Sequence, residues 1–124
     1  MTVVVDTPVW IDWFRGRRVD AVDQALDRGL VVLPPLVLAE LVAGARRRRE
    51  REQLEAALAD LPMCECPRAH WARVGVLRAR ALSRGLTVST PDAHIAQCAL
   101  DLEASLLTRD AVFTQLAVLM PLRL

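Results

Sequence analysis

Short aliphatic runs alternate with amphipathic helical stretches along the whole chain, and that alternation restricts the possible folds more than any other feature. Thr2 to Val5 is a β-branched run that ends in Asp6, as a buried strand would. Thr7 followed by Pro8 reads as a helix cap with a proline in the first turn, and Val9, Trp10, Trp13 and Phe14 follow at helical spacing. Between Arg18 and Arg28 the apolar positions Val19, Val22 and Leu26 mark a second helix, which Gly29 stops. Leu30 to Leu33 reads as a second strand, broken by Pro34 and Pro35. A third helix carries Leu36, Glu40 and Leu41, and the stretch from Arg46 to Ala59 forms a further helix or continues the same one.

The second half repeats the pattern. Met63 to Cys66 is a short strand candidate, and Ala69 to Arg84 reads as a helix with Trp71, Val74, Leu77, Ala81 and Leu82 facing inward before Gly85 ends it. Thr90 and Pro91 repeat the cap-plus-proline signature and launch a helix from Asp92 through Leu102, with Ile95, Cys98, Ala99 and Leu102 on one face. Ser105 to Thr108 reads as a strand, Asp110 precedes a short helix containing Val112, Phe113 and Leu116, and Val118 to Met120 is placed at a sheet edge. The expectation is an α/β fold with a mainly parallel central sheet flanked by helices.

A length of 124 residues with 53% hydrophobic content fits a single domain over residues 1–124 with one core. The longest apolar runs fall far short of the roughly 20 residues that span a bilayer, and no charged-then-apolar leader precedes Asp6, so a cytoplasmic protein without membrane attachment is expected. Three cysteines, Cys64, Cys66 and Cys98, are an odd number and read as reduced thiols. The net charge of +1 confines any attraction for nucleic acid to local patches.

Four acids are placed where burial, strand ends or a first helical turn would bring them together, and in parallel sheets ligands gather beyond the carboxyl ends of the strands. Asp6 and Asp110 follow strands, Asp92 lies in a first turn where the helix dipole favours a charged carboxylate, and Glu40 is the lone acid between Leu36 and Ala45, which places it facing inward. Converging carboxylates repel each other, and a hard divalent cation such as Mg²⁺, or Mn²⁺ in its place, is their natural stabiliser. Such an ion binds phosphate oxygen and activates water. All 16 basic residues are arginine, which excludes a phosphoacceptor receiver domain because that module needs an active-site lysine. Pro8 stands where a haloacid-dehalogenase-type phosphatase would need a second acid, and no Gly-rich Lys-Ser or Lys-Thr loop is present.

Four blocks, in order, carry a resemblance: Val3-Val4-Val5-Asp6-Thr7-Pro8-Val9-Trp10; Leu38-Ala39-Glu40-Leu41 with Gly44; Thr90-Pro91-Asp92-Ala93-His94-Ile95-Ala96; and Leu107-Thr108-Arg109-Asp110-Ala111-Val112-Phe113. Together they resemble VapC-like PIN domains, the toxin halves of VapBC toxin–antitoxin pairs, over nearly the whole chain. The resemblance implies a PIN-like fold and a Mg²⁺-dependent endoribonuclease, often a homodimer, inhibited by a VapB-like antitoxin. It places the family's metal-binding acids on Asp6, Glu40, Asp92 and Asp110, and its hydroxyl beside the last acid on Thr108. A non-catalytic RNA-binding or regulatory role is the competing reading, against which the four retained acids count.

Three other features admit functional readings. Arg46 to Arg49 with Arg51 could track an RNA backbone or contact antitoxin, but Arg46 with Glu50, Arg48 with Glu52 and Arg51 with Glu55 are placed to pair at i,i+4, and a solvated helix is favoured. Cys64, Cys66, His94 and Cys98 are four zinc-type ligands. With the first two in a strand candidate and no tight knuckle, the expectation is that they bind no zinc, while His94 lies near the substrate or at its rim. Trp10, Trp13 and Phe14 share one stripe and read as core or dimer interface.

Overall fold

Three consecutive valines begin the fold, because a β-branched run with no polar alternation is stable only when both faces are covered. They form β1 (Val3–Val5), and the computed structural model, which describes all 124 residues, continues with α1 (Thr7–Phe14), α2 (Asp20–Asp27), α3 (Pro35–Gly44), α4 (Arg48–Leu58), α5 (Arg68–Ser83), α6 (Thr90–Asp101), β2 (Ser105–Leu107) and α7 (Ala111–Leu119). β1 and β2 pair in parallel, Val3 with Ser105, Val4 with Leu106 and Val5 with Leu107. Single parallel bridges widen the sheet, from Val3 to Val31, Leu33 to Met63 and Ser105 to Arg123. Every pairing is parallel, as the alternation required, with helices in the crossovers.

α6 is the central helix. Its residues Ala93 to Ala99 are all buried, and it packs against α5, α3 and both strands. Ala93, Ala96 and Ala99 keep its surface thin enough for that close approach, and a helix enclosed on every side need not be amphipathic. Trp10, Leu33, Ile95, Leu106, Phe113 and Leu116 complete the core around it. No helix is long and apolar enough to cross a membrane.

Both cap-plus-proline signatures mark helix starts, but each cap lies one residue earlier than expected. Asp6 caps α1, its carboxylate accepting the Thr7 N–H, and Ser89 caps α6, its hydroxyl accepting the Asp92 N–H. Each Thr-Pro pair forms the first two helical residues, where the fixed φ of proline suits the helix and its missing N–H has no partner to lose. Leu30 to Leu33 contributes only the bridges at Val31 and Leu33, since Pro34 ends the ladder, and Met63 alone bridges within the 63–66 segment. Val118 and Leu119 stay helical, and Arg123 takes the sheet edge once Pro121 has ended α7.

The inward stripe of α5 is His70, Val74, Leu77 and Ala81, whereas Trp71 is 39% and Leu82 64% exposed. Apolar residues stand on more than one face of this helix, so its periodicity admits two phases, and counting His70 as polar selects the wrong one. Leu102, expected on the inner face of α6, is likewise 39% exposed. The corrected phase has a direct consequence for stability. Leu77→Ala is expected to cost about 2 to 5 kcal/mol through lost burial and a residual cavity, and Leu82→Ala to stay within about 0.5 kcal/mol. Urea unfolding of both variants checks the difference.

Candidate active site

Parallel pairing of Val5 with Leu107 makes the chain leave β1 and β2 at the same end of the sheet, and the Asp6 N–H donates to Leu107 O at 2.9 Å. The next side chains therefore meet. The Thr108 hydroxyl donates to Asp6 Oδ2 at 2.8 Å, the Thr7 N–H donates to Asp6 Oδ1 at 2.9 Å, and the Asp110 N–H donates to the Thr108 hydroxyl oxygen at 3.1 Å. Asp6 is only 3% exposed, yet both its oxygens are held. Hydrogen bonds to a carboxylate stabilise by roughly 1.5 to 3 kcal/mol each, which offsets part of the cost of burying it.

Thr7 extends this network to α3. Its hydroxyl donates to Glu40 Oε1 at 3.0 Å, so Glu40 lies at the crevice although it is exposed and does not face inward as expected. The exposed mouth and the Thr7 bond together leave the carboxylate fixed by one oxygen and open at the other. Sequence reading placed Thr7 only as a cap, and nothing in local spacing shows a contact that reaches 33 residues along the chain.

Asp92 enters from α6, whose first turn Ser89 closes through the Asp92 N–H at 3.2 Å. Asp110 caps α7 by accepting the Val112 N–H with Oδ1 at 3.0 Å, which leaves Oδ2 free. Asp92 and Asp110 lie close enough to Asp6 for their charges to act on it. Burial pushes the Asp6 pKa above its ordinary 3.8 against the pull of the Thr108 and Thr7 hydrogen bonds, and the charges of Asp92 and Asp110 raise it further. The Asp92 pKa also rises, chiefly through burial, opposed by Ser89 and assisted by Asp110. No salt bridge reaches Asp6, Glu40, Asp92 or Asp110. The nearby base Arg109 is turned away to Asp12, which Arg17 also holds at 2.9 Å.

Oxygen donors without a basic counter-charge fit a hard divalent cation. Beside them α1, α3 and α4 enclose a groove of about 510 Å³, with Ile11, Trp13, Phe14, Leu41 and Leu54 on its walls. Glu40 lies at the junction of the two regions. Asp6, Asp92 and Asp110 do not line the groove.

A family model described as the PIN domain matches residues 3–119. The chain belongs to the PIN-domain family. Comparison by sequence with curated proteins finds no match. Among solved structures, this PIN domain is similar to VapBC from Salmonella typhimurium bound to DNA, at 19% identity and TM-score 0.80 over 99% of this chain and 96% of the other. VapBC2 from Rickettsia felis bound to a promoter DNA fragment is 20% identical with TM-score 0.78, covering 94% of this chain and 93% of its own. A toxin–antitoxin complex from Klebsiella pneumoniae is 24% identical with TM-score 0.73, covering 89% and 88%. At these identities the likeness shows the fold.

The basic stretch of this PIN domain is partly self-neutralised. Arg48 pairs with Glu52 at 3.0 Å, while Glu50 accepts from the backbone N–H groups of Arg46 and Arg47 and so caps α4 instead of pairing with the Arg46 side chain.

Asp92 gives the sharpest test of the acid cluster. Its pKa is raised in the folded state, so its charge opposes folding at neutral pH, and the opposition is relieved as pH falls through the folded value, above 3.8. Metal-free Asp92→Asn is therefore expected to be at least as stable as the parent at pH 7, with any advantage shrinking on acidification. A mere first-turn carboxylate behaves oppositely, its loss costing about 0.3 to 1 kcal/mol. Thermal melts of both proteins in chelator, across pH, distinguish the cases.

Proposed function

We propose that this PIN domain is a Mg²⁺-dependent endoribonuclease, with Mn²⁺ as a substitute, and the toxin of a pair neutralised by a VapB-like antitoxin. The observation that carries the catalytic reading is a buried, immobilised Asp6 carboxylate with Asp92 and Asp110 nearby, joined to Glu40 through Thr7, and with no basic partner. PIN domains are in general nucleases. RNA as substrate rests on the resemblance of the four sequence blocks to VapC-like domains.

Asp6, Glu40 and Asp92 are the residues assigned to hold the ion directly or through water, with the free oxygen of Asp110 completing the set. When bound, the ion supplies polarisation of the scissile phosphate and a lowered pKa for the attacking water. The chain's own contribution is orientation. Thr108 and the Thr7 N–H fix both oxygens of Asp6, the Thr7 hydroxyl fixes one of Glu40, and Ser89 sets the direction of the α6 first turn that carries Asp92. Attack by water rather than by the ribose 2′-hydroxyl leaves 5′-phosphate and 3′-hydroxyl ends.

The antitoxin reading is supported by the apolar groove that ends at Glu40. A partner segment lying on Trp13, Phe14, Leu41 and Leu54 would cover one side of the acidic crevice and exclude substrate from it. Structures of the same fold include one described as a toxin–antitoxin complex. A second copy of this chain as dimer partner belongs to the same proposal, by resemblance.

Cleavage of RNA is expected to require Mg²⁺ or Mn²⁺, to stop with EDTA, and to leave 5′-phosphates. Asp6→Asn is expected to lose roughly 10² to 10³ in rate, the scale of removing one preorganised electrostatic group. End-group analysis on RNA, with single-stranded DNA of the same sequence alongside, checks this. Products carrying 2′,3′-cyclic phosphate would overturn the mechanism, and equal cleavage of DNA would overturn the substrate assignment.

A further inference from the structure

A second cluster of ligating side chains lies outside the acidic crevice. Cys66, His70, His94 and Cys98 each offer an atom, and these atoms all lie within 4.8 Å of one another. His70 and His94 are fully buried, Cys98 is 1% exposed and Cys66 is partly covered. The sequence presents them as Cys66-x₃-His70 and His94-x₃-Cys98, two pairs of the same spacing in mirror order. On α6 that spacing puts His94 and Cys98 on one face, one turn apart. Cys66 comes from the extended segment before α5, and His70 from the first turn of α5.

We propose that Cys66, His70, His94 and Cys98 form a Cys₂His₂ site for Zn²⁺ that clamps α5 to α6. A ligand set of Cys64, Cys66, His94 and Cys98 lacks the tight cysteine knuckle of a structural zinc site. The fold replaces Cys64 with His70, and no knuckle is needed.

The surroundings of His70 are those of a ligand already oriented. Its Nδ1 lies 3.0 Å from Asp101 Oδ2. Asp101 in turn accepts from Arg73 through Nε at 3.0 Å and Nη2 at 2.9 Å, and from Gln97 at 2.8 Å. An ionised carboxylate at Nδ1 keeps the proton there and turns the lone pair of Nε2 into the cluster, the arrangement in which metal-bound histidines are commonly held. His70 Nε2 lies 2.8 Å from His94 Nδ1, and Cys98 Sγ lies 3.9 Å from the same His94 atom. Trp71 stacks on the His94 ring, with centroids 4.8 Å apart and planes 6° from parallel, and closes the site from outside.

Uptake of Zn²⁺ releases the two thiol protons, and the ring proton now between the histidines moves to His94 Nε2, which gives up the 3.5 Å hydrogen bond it accepts from the Leu36 N–H. Two thiolates balance the ion, so the filled site is electrically neutral, which suits its burial. Tetrahedral zinc sets N···N near 3.3 Å and S···S near 3.8 Å. The histidines must part by about half an ångström and the widest pair close by about one. Cys66 is partly exposed and lies outside any helix, so it is the ligand least fixed by secondary structure. Soft sulfur and imidazole donors select zinc over Mg²⁺, whereas the acidic crevice has only oxygen.

The experiment uses the full chain purified under reducing conditions without chelator. Elemental analysis is expected to find about one zinc per chain. Replacing it with Co²⁺ is expected to give the visible absorption of a tetrahedral site and a near-ultraviolet thiolate-to-metal band, both erased by equimolar Zn²⁺ and untouched by excess Mg²⁺. Asp6→Asn and Cys64→Ser should leave these bands unchanged. Cys66→Ser, on the partly exposed segment, should lose about half the thiolate band, and Asp101→Asn should weaken Co²⁺ binding roughly 10- to 100-fold. Absence of any thiolate band with Co²⁺ in the folded parent would overturn the proposal, as would a band that survives Cys66→Ser intact.

Discussion

The hydrogen bond from Thr108 to Asp6 joins residues 102 apart in sequence, and the functional architecture depends on it. It forms only because β1 and β2 run parallel with Val5 opposite Leu107, so that both strands deliver their next polar residues to one edge. Asp6 then does two things. Its carboxylate starts α1 by capping Thr7, and it anchors the crevice toward which Glu40, Asp92 and Asp110 are directed. A buried carboxylate at such a junction is tolerated because each oxygen has a donor, and is useful because none of those donors is a neutralising base.

The arginines show the same separation of roles. Arg17 and Arg109 converge on Asp12, and Arg48 is spent on Glu52. Turning Arg109 away from its neighbour Asp110 preserves the negative potential of the crevice and pins α1 to the loop after β2. The fold thus leaves the carboxylates at one edge of the sheet without a basic partner. The buried histidines sit between α5 and α6, with His70 tied to Asp101, where soft donors predominate.

Much of this was legible in the sequence because it depends on neighbours. The valine run, the two Thr-Pro helix starts and the glycines that stop helices are local signals, and Gly29 and Gly85 do adopt positive φ of 67° and 81°. The positions of Asp6 and Asp110 after strands and of Asp92 in a first turn are local signals, which the parallel sheet turns into proximity. The isolation of Glu40 in an apolar stretch predicts an inward side chain, yet it is exposed, since hydrophobic neighbours along the chain do not say which face a helix buries. What periodicity could not show were contacts between distant segments: Thr7 with Glu40, and His70 with His94. His70 was lost for a related reason, because a polar residue on the inner stripe of α5 shifts the apparent phase of the helix.

The most direct test of the carboxylate account is where a metal binds. Crystals of the protein soaked in Mn²⁺, with diffraction collected on either side of the manganese absorption edge, locate the ion by its anomalous signal without reference to activity. A peak within coordination distance of the Asp6 carboxylate, shared with Glu40 or Asp92, is the expected result, and it should vanish in crystals of Asp6→Asn. Saturating Mn²⁺ that leaves this crevice without a peak while the four carboxylates hold their positions would contradict the assignment of the acids as a metal centre.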